Sequence, residues 1–530
     1  MNPNRVVLIA FMEFDNLGVG YLASVIAEKG FEPVIIDFRD GKEKILRAII
    51  KNDPLLVGFS VIFQYYINDF RDLIIFLRES GIKSHFTAGG QYASMRYAEL
   101  FNLIPSLDSI VRFEGEYTFL DLVYSLYRGT DWKEIRGLVF KKKVKLVVNL
   151  PHPPEMDLNK FPYPVRSPLK EYVLGEKYST LIAGRGCLNN CSFCNNSEYL
   201  KQFSVRTKRV RSPENVTGEI EYLHNRQNCS VFLFEDDDFP LGKVEGFDWP
   251  LRFCKELTDK GISDKIMWKI NCRPDEVDYE SFALMKNHGL FLVFLGIDDG
   301  TDQGLARLNK HMTVKESLRG IEILKKLWID FDYGFMLFQP SSTFSSVDEN
   351  LTFLRDLCSD GYTPAIFLRM MPFFGTRVER ELEREGRLKG DPGCKTYDFL
   401  EAPLNNCFDA IMDCFGYWLY DSEGLVNILR WARNYISVFS RFYKPTTEIL
   451  SLSSEIRMIT SESNLYMFDV TNELLEIFET SGYKSSGDEV LSGYKQDSDK
   501  KQHQYREQVI RIVKRICHIA EFQDLRYMIR

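Results

Sequence analysis

The residues best suited to chemistry lie in one short run, Gly184-Arg185-Gly186-Cys187-Leu188-Asn189-Asn190-Cys191-Ser192-Phe193-Cys194. Three cysteines follow a CxxxCxxC spacing, directly after a β-like stretch at 178–183. That spacing keeps three thiolates on one tight loop, close enough to cap three irons of a cubane cluster. A [4Fe–4S] cluster usually takes four cysteines. A loop offering three leaves one iron open to a small molecule. The plain alternatives are cysteines packed in a core or holding zinc. A structural zinc site takes four ligands, commonly as two CxxC-like pairs, and no second pair follows here.

The run resembles the cluster motif of the radical S-adenosylmethionine (SAM) enzymes. That resemblance implies a [4Fe–4S] cluster on Cys187, Cys191 and Cys194, with SAM chelated to the open iron through its amino and carboxylate groups. Phe193, inside the loop, matches an aromatic position the family uses near adenine; packing beneath the cluster is the other reading.

The elements that must position this loop fall into four stretches: 1–150, a connector at 151–177, 178–390 and 391–530. In the first, short apolar runs at 5–10, 32–37, 55–60, 85–89 and 109–113 alternate with helical patterns. Continuous apolar strands alternating with helices predict a doubly wound, flavodoxin-like parallel sheet. Such sheets bind ligands outside the carboxyl ends of their strands. The residues expected there are Asn16-Leu17-Gly18, Ser60, Gly89-Gly90 and Phe113-Glu114-Gly115-Glu116. Glycine lets the backbone approach a ligand or take positive φ.

Together with the downstream cysteines, these landmarks resemble the N-terminal cobalamin-binding domain of the B12-dependent radical SAM enzymes. Many such domains hold cobalt from below with a histidine in a DxHxxG loop. Here the loop reads Glu13-Phe14-Asp15-Asn16-Leu17-Gly18, without histidine. The resemblance therefore implies cobalamin with no protein histidine ligand to cobalt. His85, at the start of a strand, is expected to be packed or hydrogen-bonded.

Residues 138–150 read as a β-hairpin, and prolines at 151, 153, 154, 162, 164 and 168 predict an extended, semi-rigid connector between domains. Strands are then expected at 178–183, 230–234, 266–271, 290–297, 331–338 and 365–371, with helices between. Six such units suggest an open (β/α)6 barrel of the radical SAM type, whose reactive groups come from loops at the C-terminal strand ends. Glu235, Asp236 and Asp237 follow the second strand, where the family meets the SAM ammonium. Asn271 and Arg273 end the third strand. Asp298 ends the fourth, where relatives often carry glutamate, and is expected near a ribose hydroxyl or the SAM amino group. Leu308-Asn309-Lys310 and the run 372–376 match further family landmarks.

Beyond 391 the pattern turns helical and aromatic, as expected for a substrate-shaping region. Cys394, Cys407 and Cys414 lack the pairing of an auxiliary cluster and read as ordinary thiols. Residues 481–501, with Ser-Gly-Tyr-Lys twice, read as a mobile linker, and 502–530 as an amphipathic helix.

Composition bounds the classes. The 530 residues are 45% hydrophobic and 27% charged, ordinary for a soluble globular protein. A net charge of −8 argues against a broad basic surface for nucleic acid. No apolar run approaches the roughly 20 residues needed to cross a bilayer. The apolar 6–12 stretch is cut off by Glu13 with no cleavage site after it, and reads as a buried strand rather than a signal peptide. With 11 cysteines and no signal, the expected compartment is the reducing cytoplasm.

The resemblance thus implies a cobalamin-dependent radical SAM methyltransferase acting on an unactivated centre of a small molecule or natural-product intermediate. An electron donor such as flavodoxin or ferredoxin would serve it. The alternatives are a B12-dependent cyclase or rearranging enzyme without net methyl transfer, and a non-catalytic cofactor-binding sensor. An RNA methylthiotransferase would carry cysteines before Cys187, and none is present.

Overall fold

The structure is a computed structural model, described over residues 2–12, 15–203, 207–241, 243–244, 246–481 and 488–522. The chain forms two compact units. The first comprises Met1–Leu169, Thr180–Asn215 and Met371–Thr396; the second comprises Lys170–Ser179, Val216–Met370 and Tyr397–Arg530.

The sheet of the first unit holds β1 (Asn2–Ala10), β2 (Glu32–Asp37), β3 (Pro54–Ser60), β4 (His85–Gly89), β5 (Ser109–Val111), β6 (Leu138–Lys142) and β7 (Lys145–Val148). Its order is β2-β1-β3-β4-β5-β6-β7. The first five strands pair in parallel, and β6 and β7 add an antiparallel hairpin beside β5. Alternation along β1 feeds two cores. Val7 and Ile9 join Val57, Phe59 and Phe86 on one face. Val6, Leu8 and Ala10 join Leu56, Val111 and Phe119 on the other. Both faces are covered, as the period of two in a doubly wound sheet requires. The hairpin was expected, but its place at the sheet edge is a tertiary fact: it closes the hydrogen-bonding edge of β5.

The fifth strand stops at Val111 rather than at 113, because Phe113 takes φ +64°. That left-handed turn aims the chain back into the helix Glu116–Arg128. The proline-rich stretch is pinned to the first unit instead of hanging free. Val165 N donates to Gly20 O at 3.0 Å, and Arg166 meets Asp15 at 3.0 Å. A Cβ on Gly20 would stand 2.6 Å from the Val165 carbonyl oxygen, so only glycine allows this approach.

The other large sheet holds β8 (Lys170–Glu171), β9 (Lys177–Leu181), β10 (Cys229–Phe234), β11 (Met267–Cys272), β12 (Leu290–Asp298) and β13 (Asp330–Phe335), in the order β13-β12-β11-β10-β9-β8. The pairs β10–β11, β11–β12 and β12–β13 are parallel, and β8 is an antiparallel edge. The helices Tyr279–Asn287 and Val314–Leu327 connect the parallel strands, and Phe344–Cys358 follows the last of them. A reciprocal cap starts the second of these: Thr313 N donates to Glu316 at 2.8 Å, and Glu316 N donates back to the Thr313 hydroxyl.

Two expectations need correction. The strand expected at 365–371 is reduced to one bridge between Phe338 and Arg369, with Leu368 N donating to Phe335 O at 2.9 Å and Met370 N to Phe338 O at 2.7 Å. Pro364 and Pro372 at its ends withhold donors from any longer ladder. The linker expected at 481–501 is largely helix: Asp488–Ile519 is one continuous helix, and 482–487 lie outside the described residues. Polar composition misled there because 490–501 is mostly exposed, while the following 502–519 buries the apolar stripe of Val509, Ile512 and Ile516 expected of an amphipathic helix. Among the described residues no helix is long and apolar enough to cross a membrane.

Candidate functional site: the cysteine loop, the glycine edge and the strand-end acids

The cysteine loop begins where Gly184-Arg185 pairs antiparallel with Arg209-Val210. Gly186 has φ +91°, and a Cβ there would lie 3.1 Å from the Thr207 carbonyl oxygen. A glycine at this point turns the chain sharply into Cys187. Cys187 Sγ accepts from the Asn189 backbone N–H and from Asn189 Nδ2, both at 3.4 Å. Cys194 N donates to Cys191 O at 3.3 Å, which folds the second half of the loop into a turn. Cys194 is also the N-cap of the helix Asn195–Gln202, where backbone N–H groups favour thiolate. All three cysteines are half-buried, and so is Phe193; the intervening Ser192 is buried.

This donor set fits an iron–sulfur cluster. Three thiolates share one loop, reach solvent in part, and carry N–H donors of the kind that tune cluster potentials. No group of three or more His, Cys, Asp or Glu among the described residues is arranged around a single ion. A cubane asks for one thiolate per iron, not three converging on one point.

The glycine edge belongs to the same unit. Gly90 has φ +105°, and a Cβ there would stand 2.6 Å from the Val61 carbonyl oxygen. Gly89 pairs with half-buried Ser60 at the ends of β4 and β3. Asn16 caps the helix Leu17–Ala27 by accepting from Val19 N at 3.1 Å, while Leu17 packs beside Tyr21 and Phe161. Gly18 has only the Asn16 side chain within reach of an added Cβ, at 3.6 Å. An edge so poor in side chains suits a broad, flat ligand such as a corrin. Aromatic rings gather at the ends of β1 and β3: Phe11 stacks on Tyr66 at 4.8 Å, and Phe63 on Tyr65 at 5.2 Å. Phe63 and Tyr65 are exposed. Sequence reasoning passed over this group, although the run Phe63-Gln64-Tyr65-Tyr66 directly beyond a strand was its signal.

Phe113-Glu114-Gly115-Glu116 does something the sequence did not suggest. Glu114 pairs with Arg209 through both oxygens, its Oε2 lying 2.9 Å from Nη1. Glu116 takes Arg185 Nη2 at 2.7 Å. These side chains are largely buried, with Arg209 at 3% and Glu116 at 6% exposure. Burial works against the Arg185 charge, but the carboxylates of Glu116 and Glu114 more than offset it and raise its pKa. The Phe113 ring stacks on Phe203 at 4.9 Å, and Gln91 Oε1 accepts from Asn195 at 3.3 Å. The loop after β5 therefore bolts the cysteine-bearing segment to the glycine-edged sheet. Gly115 sits between, with an added Cβ 3.2 Å from Val111.

His85 lies at the start of β4, the end of the strand away from Gly89 and Gly90. Its Nε2 is 2.8 Å from Ser109 Oγ, and it meets Trp132 edge-on at 4.9 Å. Burial pushes its pKa down to about 4. It is a packed, hydrogen-bonded residue. Glu13 and Phe14 of the DxHxxG-like loop lie outside the described residues.

The second unit carries the other expected residues at the ends of β10, β11 and β12. Glu235 is exposed and pairs with Lys269 at 3.2 Å; Asp237 is exposed and Asp236 buried. Asn271 Nδ2 donates to the Asp236 carbonyl at 3.0 Å and folds the acidic run back on itself. Arg273 donates from Nε and Nη2 to Asp275 at 2.9 and 3.0 Å. Asp298 has φ +68° and forms a buried ion pair with Lys310. Gly296 makes room for it, since a Cβ there would stand 2.9 Å from Lys310 Nζ. Beside it Asp299 accepts from Thr301 N at 2.8 Å and Gln339 Nε2 at 2.5 Å, yet burial still raises its pKa. Lys310 and Gln339 are thus the partners of the strand-end acids.

Cys407 and Cys414 are buried, and burial raises their thiols to about 12 and about 11. They are inert thiols, as their spacing implied.

Glycine-rich strand ends in the first unit and a half-buried cysteine loop fit a flat cofactor and an iron–sulfur centre. Comparison with known proteins agrees. The radical SAM superfamily matches residues 181–354, and the B12 binding domain matches residues 6–123. The chain belongs to the cobalamin-dependent radical SAM enzymes, whose groups are a [4Fe–4S] cluster, SAM and cobalamin. It is 28% identical over 371 residues to an uncharacterized methyltransferase of Pyrococcus horikoshii, covering 68% of this chain and 77% of that one. It is 26% identical over 385 residues to the anaerobic magnesium-protoporphyrin IX monomethyl ester cyclase of Rubrivivax gelatinosus, covering 68% and 66%. The fold is shared with the cobalamin-dependent radical SAM enzyme OxsB at a TM-score of 0.67 and 18% identity, over 99% of this chain and 82% of that one.

Proposed function

We propose that the protein is a cobalamin-dependent radical SAM methyltransferase acting on an unactivated centre of a small molecule or natural-product intermediate. The observation that carries this reading is the buried bolt of Glu114–Arg209 and Glu116–Arg185, which ties the cysteine segment to the glycine-edged sheet inside one compact unit. A radical generator and a methyl carrier have to stay in register, and buried ion pairs hold a register well.

In this reading Cys187, Cys191 and Cys194 would hold the cluster, which would supply the binding point for SAM. Asp236, Asn271 and Asp298 are the candidates for orienting SAM, with Lys310 setting the direction of the Asp298 carboxylate. Gly89, Gly90 and the rings of Phe63 and Tyr65 are the candidates for the corrin. When bound, the cluster and SAM supply radical chemistry, and cobalamin supplies the methyl group. The half-burial of the cysteine loop limits water at the cluster and leaves access for a one-electron donor such as flavodoxin or ferredoxin. A reducing, cytoplasmic setting suits that exposure.

The test is anaerobic reconstitution with iron, sulfide and cobalamin, followed by turnover with SAM and candidate substrates. Methyl transfer gives a product heavier by one methylene and one S-adenosylhomocysteine per turnover. A product of unchanged mass would move the assignment to the cyclase or rearrangement reading, which the similarity to the Rubrivivax cyclase keeps in view. Protein that loads neither chromophore would sink both.

A further inference from the structure

The second unit has an open pocket of about 510 Å³ where β11, β12 and β13 begin, walled by the helices Leu425–Phe442 and Thr447–Ser481. Met267, Leu290 and Asp330 are the first residues of those strands and line it. It therefore lies at the opposite strand ends from Asn271 and Asp298. In β/α barrels the N-terminal strand ends carry stability, and reaction chemistry sits at the other face. A polar cavity of small-ligand size at this end needs its own explanation.

Its charge is one-sided. Lys286, Arg433, Arg441 and Arg457 line it against a single carboxylate, Asp330, although the whole chain carries −8. Three of the cations have structural work. Arg433 donates to Phe331 O at 3.0 Å and Asp332 at 2.7 Å, Arg441 to Ile266 O at 2.9 Å, and Lys286 to Trp328 O at 2.8 Å. Only Asp332, among these acceptors, is charged. Burial lowers the pKa of Lys286 and Arg441 despite Asp330 and Asp264 nearby, whereas Asp332 and Asp330 offset burial at Arg433 and raise its pKa. The one acid in the wall is engaged too: Asp330 accepts from Ser437 Oγ at 2.6 Å, lies 3.9 Å from Arg433 Nε, and also feels the charge of Arg457.

Arg457 stands apart. Among the described residues it has no hydrogen-bond or ion-pair partner. Its guanidinium is held between two ring faces, 4.6 Å from the Tyr362 centroid and 5.2 Å from that of Trp328. Stacking fixes the plane of the group and leaves its N–H fork unused, and a planar fork matches the oxygens of a phosphate. Ser453 and Ser454 line the cavity beside it; the Ser454 hydroxyl donates to Leu450 O at 3.0 Å.

We propose that this cavity is a second ligand site, separate from the cofactor face, that binds a small phosphomonoester through Arg457. Its ligand is a phosphorylated metabolite, a nucleotide or a sugar phosphate, whose binding fastens the two C-terminal helices to the base of the sheet.

Isothermal titration of the full chain tests this with AMP, ribose 5-phosphate, inorganic phosphate and adenosine, all in saturating SAM to block adenine binding at the cofactor face. The phosphates should bind, and adenosine should bind at least about tenfold more weakly than AMP, the scale of a lost charged hydrogen bond. AMP alone among the phosphates would narrow the class to nucleotides; ribose 5-phosphate as well would widen it to phosphomonoesters at large. Arg457→Gln should weaken AMP by about tenfold or more and fold normally, since the guanidinium makes no hydrogen bond. Ser454→Glu, at an exposed wall position, should abolish AMP binding by repulsion and serves as an independent variant. No binding by any phosphate, adenosine binding as tightly as AMP, or unchanged AMP affinity in both wall variants would overturn the proposal.

Discussion

The loop after β5 and the loop after β12 both bring acidic residues to the carboxyl end of a parallel sheet, and they use them differently. After β5, Glu114 and Glu116 reach arginines 95 and 69 residues away and join two segments of chain. After β12, Asp298 reaches Lys310 only 12 residues away and stays within its own strand-end network. A long-range buried pair is a fastener; a short-range one orients a side chain. Sequence position alone gave the two acidic runs the same ligand role, and burial with pairing distance separates them.

The largest effect should come from the cysteines. Alanine at Cys187, Cys191 or Cys194 should abolish SAM cleavage, read by deoxyadenosine formation, while cobalamin retention, read by its visible absorbance, stays near wild type. Loss of cobalamin along with the cluster would mean that the loop itself shapes the corrin edge. The fastener comes next. Arg209→Ala leaves the largely buried Glu114 carboxylate with only Arg185, at 3.7 Å, and should lower unfolding stability by up to about 3–5 kcal/mol in denaturant titration. The exposed pair Arg5–Glu32, at 2.7 Å, should yield only about 0–1 kcal/mol when Arg5 is truncated. Equal losses at the two sites would erase the distinction drawn between fastener and surface pair.

At the orienting pair, Lys310→Gln should raise the KM for SAM by about tenfold, the scale of one charged hydrogen bond, with a smaller change in kcat. Global stability falling as far as in Arg209→Ala would make Lys310 a fastener as well. Gly90→Ala meets both the Val61 carbonyl and a positive φ; it should cost about 1–3 kcal/mol and reduce cobalamin content measured after gel filtration. The smallest effect at neutral pH is at His85. Its folded pKa of about 4 lies below the ordinary 6.5, so the folded state resists its protonation. Stability should be unaffected above pH 6.5 and should fall as pH drops from there towards 4, by up to about 3 kcal/mol. His85→Gln should flatten that slope in acid titrations followed by circular dichroism.

Much of the architecture was legible because its signals are local. The apolar run 55–60 and the alternation within 5–10 reflect burial on both faces of a strand, which needs no knowledge of partners. The helices Tyr279–Asn287, Val314–Leu327 and Leu425–Phe442 match their apolar periodicity residue for residue, helped by caps such as Thr313 with Glu316. The CxxxCxxC loop was legible for the same reason, since three ligands within eight residues define a site without any fold. The segment 365–371 was not, because its apolar pattern fits a strand while flanking prolines deny it a ladder. The first half of the helix Asp488–Ile519 was missed because residues 490–501 are mostly polar and exposed, whereas the apolar stripe of its second half was legible.

The amino-acid sequence by itself determined the cysteine triad, the glycines that open the strand ends and the alternation that builds two β/α layers. All of these depend on residues close together in the chain. Only the tertiary structure decided what Glu114, Glu116, Arg185 and Arg209 do, since an ion pair needs its partners within a few ångströms and the sequence holds them far apart. The same is true of Arg457, whose charge has meaning only against the rings and cations that folding gathers around it.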